Sequence, residues 1–151
     1  MMLKTVNVSK TMPIPAETVW SAIAGIGGLE RWFPVIAACR VQGDGVGALR
    51  VLTLAAGGEM TDRIELIDHD RRRFRYNRIE SPFPVNRYLG TVDVAETVDG
   101  RTVVEWVVDI EAEAESRELL EFVRQAITDG VAGLERDLLD LAASISASEA
   151  L

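Results

Sequence analysis

This sequence has one cysteine and one histidine in 151 residues. A lone Cys39 excludes an internal disulfide and any cysteine-rich metal site, and within its apolar run it reads as an inert buried thiol. The lone His69 lies in the turn Asp68-His69-Asp70, where a solvated ring is the expectation. Three adjacent turn residues rarely converge on one ion, so no metal is expected. With His69 outside any pocket, neither a Ser-His-Asp nor a Cys-His relay is available. No glycine-rich loop follows a strand and opens a helix, which removes the phosphate cradle of a nucleotide site, and no cofactor is expected. Basic residues are also in deficit: 16 Lys and Arg against 24 Asp and Glu leave a net charge of −8. That balance argues against nucleic acid and against anionic membrane surfaces. No stretch approaches the ~18 unbroken apolar residues of a membrane span. The first ten residues alternate without an apolar signal core, so a reduced, cytoplasmic setting is the expectation.

What is present is an ordinary globular balance, 48% hydrophobic and 26% charged, in a length suited to one domain. That domain is placed at residues 1–146, with a short polar tail at 147–151. The last third organises the rest. From Ser116 to about Ile145, Leu119, Leu120, Val123, Ala126, Ile127 and Val131 recur three and four apart, and Leu134, Leu138, Leu141 and Ile145 continue the stripe. This is the period of an amphipathic helix. Ser116 is positioned as its N-cap, Glu118 falls in the first turn, and no proline interrupts. A rod of ~45 Å with one apolar side needs a large apolar partner. Gly130 and Gly133 fall inside it, each unfavourable by about 1 kcal/mol relative to alanine. The first reading of these glycines is close packing against a neighbour; the second is space left for a ligand.

Upstream, Leu3 to Met12 alternates as a strand until Pro13 and Pro15 stop it. A short helix follows over Pro15–Ile23, with Val19, Trp20 and Ile23 on its apolar face, and Gly25, Gly27 and Gly28 break it. Leu29 to Pro34 makes one further short helix. Strands are then expected at about 35–42, 47–55, 59–68, 72–80, 87–97 and 102–111, separated by glycine, proline and aspartate turns. Short connections imply an antiparallel meander. With the first strand this gives an α+β fold: seven antiparallel strands, two short helices after the first strand, and a long C-terminal helix packed on the sheet.

Strand parity sorts the faces. Phe74, Tyr76 and Arg78 share a face; so do Tyr88, Gly90, Val92 and Val94, and so do Val104, Trp106, Val108 and Ile110. Met60, Asp62, Ile64 and Leu66 oppose Thr61, Arg63, Glu65 and Ile67. One face is apolar and aromatic, and it should meet the long helix. Asp62 and Arg78 break that rule, and Arg50 joins them if the ambiguous parity of 47–55 turns it inward. A lone buried charge is very costly, so each must be paired, reach water or meet a ligand. An internal Arg–Asp bridge and a polar anchor inside a cavity both satisfy this. Asp109, Glu111, Glu113 and Glu115 read as a solvated acidic face, which Arg71, Arg72 and Arg73 at a hairpin would balance.

Pro15-Ala16-Glu17-Thr18-Val19-Trp20, Trp32-Phe33-Pro34, Gly47-Ala48-Leu49-Arg50, Pro82-Phe83-Pro84-Val85 and Tyr88-Leu89-Gly90 occur in this order. Together with Asp62-Arg63-Ile64, Tyr76 and Thr102-Val103-Val104-Glu105-Trp106, they resemble the polyketide-cyclase-like branch of the SRPBCC (START-like, birch-pollen-allergen-like) superfamily over nearly the whole chain. The resemblance implies a helix-grip fold whose sheet wraps the C-terminal helix around a cavity for apolar or amphipathic ligands. It implies mouth loops at Leu54–Gly58 and Ser81–Val85. Asp62 stands where the family commonly has glutamate, a shorter reach toward Arg50. The implied ligand-binding set takes Trp32, Phe33, Met60, Ile64 and Phe74 for the wall, with Phe83, Trp106, Val123, Ile127 and Gly130. Its polar members are Arg50, Asp62, Tyr76, Arg78 and Tyr88.

A carrier or sensor of a small hydrophobic or amphipathic molecule is the first functional reading. A cyclase- or dehydratase-type enzyme is the alternative, with Asp62 as base and Arg50 or Arg78 as oxyanion partner. It would need Asp62 free of a full salt bridge, whereas a binder would pair it within an apolar wall. A protein-interaction module, co-chaperone-like or toxin-like, would instead fill the core and expose an apolar patch. The acidic surface defines no interface, so the oligomeric state stays open.

Overall fold

The computed structural model describes residues 2–112 and 116–149; Glu113 and Glu115 of the acidic row, and the last two residues of the expected tail, lie outside them. The chain runs β1 (Met2–Met12), α1 (Ala16–Ala24), a single 3-10 turn (Leu29–Arg31), β2 (Ile36–Gln42), β3 (Leu49–Leu54), β4 (Glu59–Asp68), β5 (Arg73–Glu80), β6 (Val85–Glu96), β7 (Thr102–Ala112) and α2 (Arg117–Glu149). Of the two short helices expected, only the first is α-helical. The second closes after one 3-10 turn, because Gly28 enters it at φ 85° and Pro34 soon follows.

The seven strands form one antiparallel sheet in the order β1-β7-β6-β5-β4-β3-β2. Alternation decides which face is covered. In β7 every second residue is buried from Thr102 through Val104, Trp106, Val108 and Ile110 to Ala112. Those side chains meet α2, which buries Val123, Ile127, Val131, Leu134 and Leu138 together with both of its glycines. Ser116 takes the N-cap position, its carbonyl accepting from the Leu120 amide at 3.0 Å.

Two parts of the expected core are displaced. β4 carries a bulge between Ile64 and Leu66, after which Leu66 pairs with Arg75 and Ile67 with Phe74. A bulge inserts one extra residue and reverses the parity beyond it. Ile67, not Leu66, therefore packs against the core. At the other end, Leu141 and Ile145 are 54% and 51% exposed. A 33-residue helix is ~50 Å long, while strands of 11 and 12 residues reach only ~35–40 Å. The helix outruns its sheet. The arginine run at the β4–β5 hairpin pairs with Asp68, Glu17 and Asp93, not with the acids of β7.

Candidate functional site

Between the inner face of the sheet and the first half of α2 lies a cavity. Arg50, Met60, Tyr76, Arg78 and Trp106 line it from the sheet, Phe33 from the loop before β2, and Leu119, Phe122, Val123, Ala126 and Ile127 from the helix. Phe83, Val85 and Tyr88 close one side. The space that the centre of a water-sized sphere can reach is about 60 Å³, against the ~10–15 Å³ that one water requires. That is room for a few waters or for part of a small ring-bearing molecule. Six of the nine aromatic residues in the chain, Phe33, Tyr76, Phe83, Tyr88, Trp106 and Phe122, converge on this one space.

The polar end is assembled by strand register. Arg50 on β3 lies opposite Asp62 on β4, which lies opposite Arg78 on β5. Asp62 is wholly buried, and both guanidiniums fork onto it. Arg50 donates from Nε and Nη2 to Oδ2 at 3.2 and 3.0 Å. Arg78 donates from Nε to Oδ1 at 2.8 Å and from Nη2 to Oδ2 at 3.3 Å. The shorter aspartate thus reaches both partners. Burial works against the Arg78 cation, but Asp62 beside it holds its pKa above the ordinary arginine value. Aromatic faces supply the remaining solvation: the Arg50 Cζ lies 4.8 Å from the Tyr76 ring centre, and the Arg78 Cζ lies 4.1 Å from that of Tyr88.

Arg50 has one further bond, from Nη1 to the Ile26 carbonyl at 3.0 Å. Ile26 sits at φ 71°, unusual for a β-branched residue and unfavourable by about 1–3 kcal/mol. The Gly25-Ile26-Gly27-Gly28 segment holds this conformation and presents the carbonyl that completes Arg50. Tyr76 lies flat across Gly90, its cross-strand partner, where a Cβ would stand 2.1 Å from the ring. Glycine there gives the phenol its place. The Trp106 indole N–H donates to the Tyr76 hydroxyl at 3.0 Å, and burial pushes the phenol's pKa well above its ordinary value, so it stays neutral.

Ten of the fifteen residues expected at the ligand site line the cavity; Trp32, Asp62, Ile64, Phe74 and Gly130 do not. Asp62 sits behind the two arginines, and Ile64 and Phe74 are core at 0% and 1% exposure. Trp32 turns away, its indole N–H donating to Asp137 on α2 at 3.0 Å. Close packing, not ligand space, explains both helix glycines. A Cβ at Gly130 would lie 2.2 Å from the Phe33 ring, and one at Gly133 would lie 2.1 Å from the Trp32 carbonyl oxygen. Among residues not anticipated, Leu29 and Leu52 extend the wall and Phe122 joins Phe83 at the mouth, ring centres 5.5 Å apart; Leu54, from the expected mouth loop, also lines the cavity. Phe122 stands three residues after Leu119 and four before Ala126, so helical spacing was a signal that could have found it. His69 is not simply solvated: its Nδ1 accepts the indole N–H of the buried Trp20 at 3.0 Å. Among the described residues no group of three or more His, Cys, Asp or Glu is placed to hold a metal, and no helix is long and apolar enough to cross a membrane.

This architecture recurs in solved structures. An uncharacterised protein from Bacillus thuringiensis is 28% identical, with 90% of this chain and 99% of that one covered and a TM-score of 0.79. The protein XoxI from Bacillus cereus is 27% identical over 94% of this chain and 99% of its own, with a TM-score of 0.77. Norcoclaurine synthase from Thalictrum flavum, solved with dopamine and hydroxybenzaldehyde, shares the fold at 18% identity and a TM-score of 0.77, covering 92% of this chain and 88% of its own. No curated protein matches the sequence. A family model described as polyketide cyclase/dehydrase and lipid transport matches residues 4–139. With that match over nearly all of its length, and with the helix-grip architecture its residues build, this chain belongs to the polyketide cyclase/dehydrase and lipid transport family.

Proposed function

We propose that this protein binds a small apolar or amphipathic molecule between its sheet and α2, as a carrier or sensor. The convergence of six of nine aromatic side chains on one cavity carries the reading. Aromatic residues bury the most area per side chain, and a chain this poor in them places most of them around one space. The lipid-transport part of the family description supports the same reading. The cyclase alternative is weakened by Asp62. Both of its oxygens are engaged by two arginines, which leaves it ill placed to take a substrate proton. The interaction-module alternative would fill this space with side chains. A reducing, cytoplasmic setting suits Cys39, whose half-buried thiol is held protonated by burial.

The test uses the neutral dye phenylnaphthylamine, which fluoresces in apolar surroundings, together with native mass spectrometry of protein from its own host. Saturable fluorescence that is lost in Ala126→Trp, which fills the cavity from α2, supports the reading. Dye binding that ignores Ala126→Trp, or no binding and no co-purifying molecule, overturns it.

A further inference from the structure

The cavity is defined as much by its charge as by its grease. We propose that it selects monoanions, namely apolar molecules that carry one carboxylate, and that Arg78 with the phenols of Tyr76 and Tyr88 receives that group; this rests on the binding reading above.

Charge balance comes first. Arg50, Asp62 and Arg78 together carry two positive charges and one negative, on side chains only 3%, 0% and 10% exposed. The surplus positive charge faces a space walled by hydrocarbon. A net charge in such surroundings is unfavourable until a counter-charge joins it. Among the described residues the cavity lining contains no Asp or Glu, in a chain where acids outnumber bases by 24 to 16.

The donors point the same way. Every guanidinium nitrogen of Arg50 is engaged, by Asp62 or by the Ile26 carbonyl. Arg78 uses Nε and Nη2 on Asp62, and its Nη1, with two N–H groups, meets no acceptor among the described residues. Tyr76 accepts the Trp106 N–H and gives its own proton to no acceptor among those residues; the same holds for the Tyr88 hydroxyl. The Arg78 Cζ lies 5.7 and 4.1 Å from the two tyrosine ring centres. Three unspent donors on residues that line one cavity, beside one uncompensated charge, form a receptor for a carboxylate. A dianion such as a phosphate monoester would leave one negative charge unmatched.

The test compares naphthoate with its neutral counterpart naphthylmethanol by calorimetric titration of the full chain. Naphthoate should bind roughly ten- to a hundredfold more tightly, the worth of one charge-assisted hydrogen bond. Arg78→Met should abolish that preference, bringing naphthoate down to the alcohol's affinity in the same variant, and Tyr88→Phe should reduce it. The preference should persist in ~1 M NaCl, where the ~3 Å screening length silences surface ion pairs. Equal affinities in the wild type, a preference that survives Arg78→Met, or one that vanishes in salt would each overturn the proposal. If phenylnaphthylamine binds while naphthoate gains nothing, only the anion selectivity falls. If neither naphthoate, naphthylmethanol nor the dye binds, the binding reading falls and this proposal with it.

Discussion

Asp62→Asn keeps the shape of the side chain and removes its charge, leaving two guanidiniums facing each other in the core. Arg50 is 2% exposed, and the Arg78 side chain 10%, so neither can swing into water without opening the sheet–helix interface. Removing one partner of a buried pair is unfavourable by about 3–5 kcal/mol, and here a single change orphans two cations. Against a total stability of ~5–15 kcal/mol for a domain of this size, that is about a fifth of the whole or more. With a urea m-value of ~2 kcal/mol/M, the midpoint should fall by about 2 M, read from tryptophan fluorescence and far-UV circular dichroism together. Replacing the whole network, Arg50→Met with Asp62→Leu and Arg78→Met, should restore stability or raise it by ~1–4 kcal/mol, because the desolvation penalty disappears with the charges. A loss below ~1 kcal/mol for Asp62→Asn would match an exposed pair. It would mean that water reaches the network in solution, and the reasoning from burial would be wrong.

Gly133→Ala should destabilise by about 1–3 kcal/mol despite a helix-propensity gain of ~1 kcal/mol, since its Cβ would strike the Trp32 carbonyl at 2.1 Å; a rise in the urea midpoint would refute the close contact. Tyr76, its phenol pushed up by burial, should stay protonated in the folded state above pH ~10, where an unfolded tyrosine ionises. The native state then holds a proton that the unfolded state has lost, so stability should fall with a slope approaching 1.4 kcal/mol per pH unit above that point; Tyr76→Phe should remove the slope. His69→Ala withdraws the acceptor of the Trp20 indole and should lower stability by about 1 kcal/mol. In a Trp20→Phe background the same change should have little effect, and equal effects in both backgrounds would deny the coupling.

The strands and the meander from β2 to β7 were legible because period-2 alternation and glycine turns are local signals, and each strand lies within about two residues of its expected bounds. The inward charges Asp62 and Arg78 were legible for the same reason. The place of β1 beside β7 was not, since no local pattern pairs strands so far apart in the chain. What alternation cannot show is a break in alternation. The β4 bulge moved Ile67 inward and Leu66 out, and no residue at 64–66 announces it. Nor does local pattern reveal what fills a gap. Gly130 was compatible with ligand space until Phe33, nearly a hundred residues away, was found lying on it. Phe122 was within reach of local pattern, since it lies three residues after Leu119 and four before Ala126. Leu141 and Ile145 continue the helical period, but burial depends on how far the sheet extends, which no helix encodes.

The pairing of β1 with β7, Met2 opposite Ala112 and Met12 opposite Thr102, has a consequence for how the protein comes into being. β1 borders no other strand. β1, made before the other six strands of its sheet, therefore has no partner until β7 is made, a wait of roughly 5–20 s at ~5–20 residues per second. β2 to β6 can zip as successive hairpins in the meantime, since each adjoins the next in both chain and sheet. β1, with its alternating apolar face, must remain unpaired among them. Closing so large a loop is a slow, high-contact-order event, and it sets the moment at which the sheet acquires its final edge and α2 its bed.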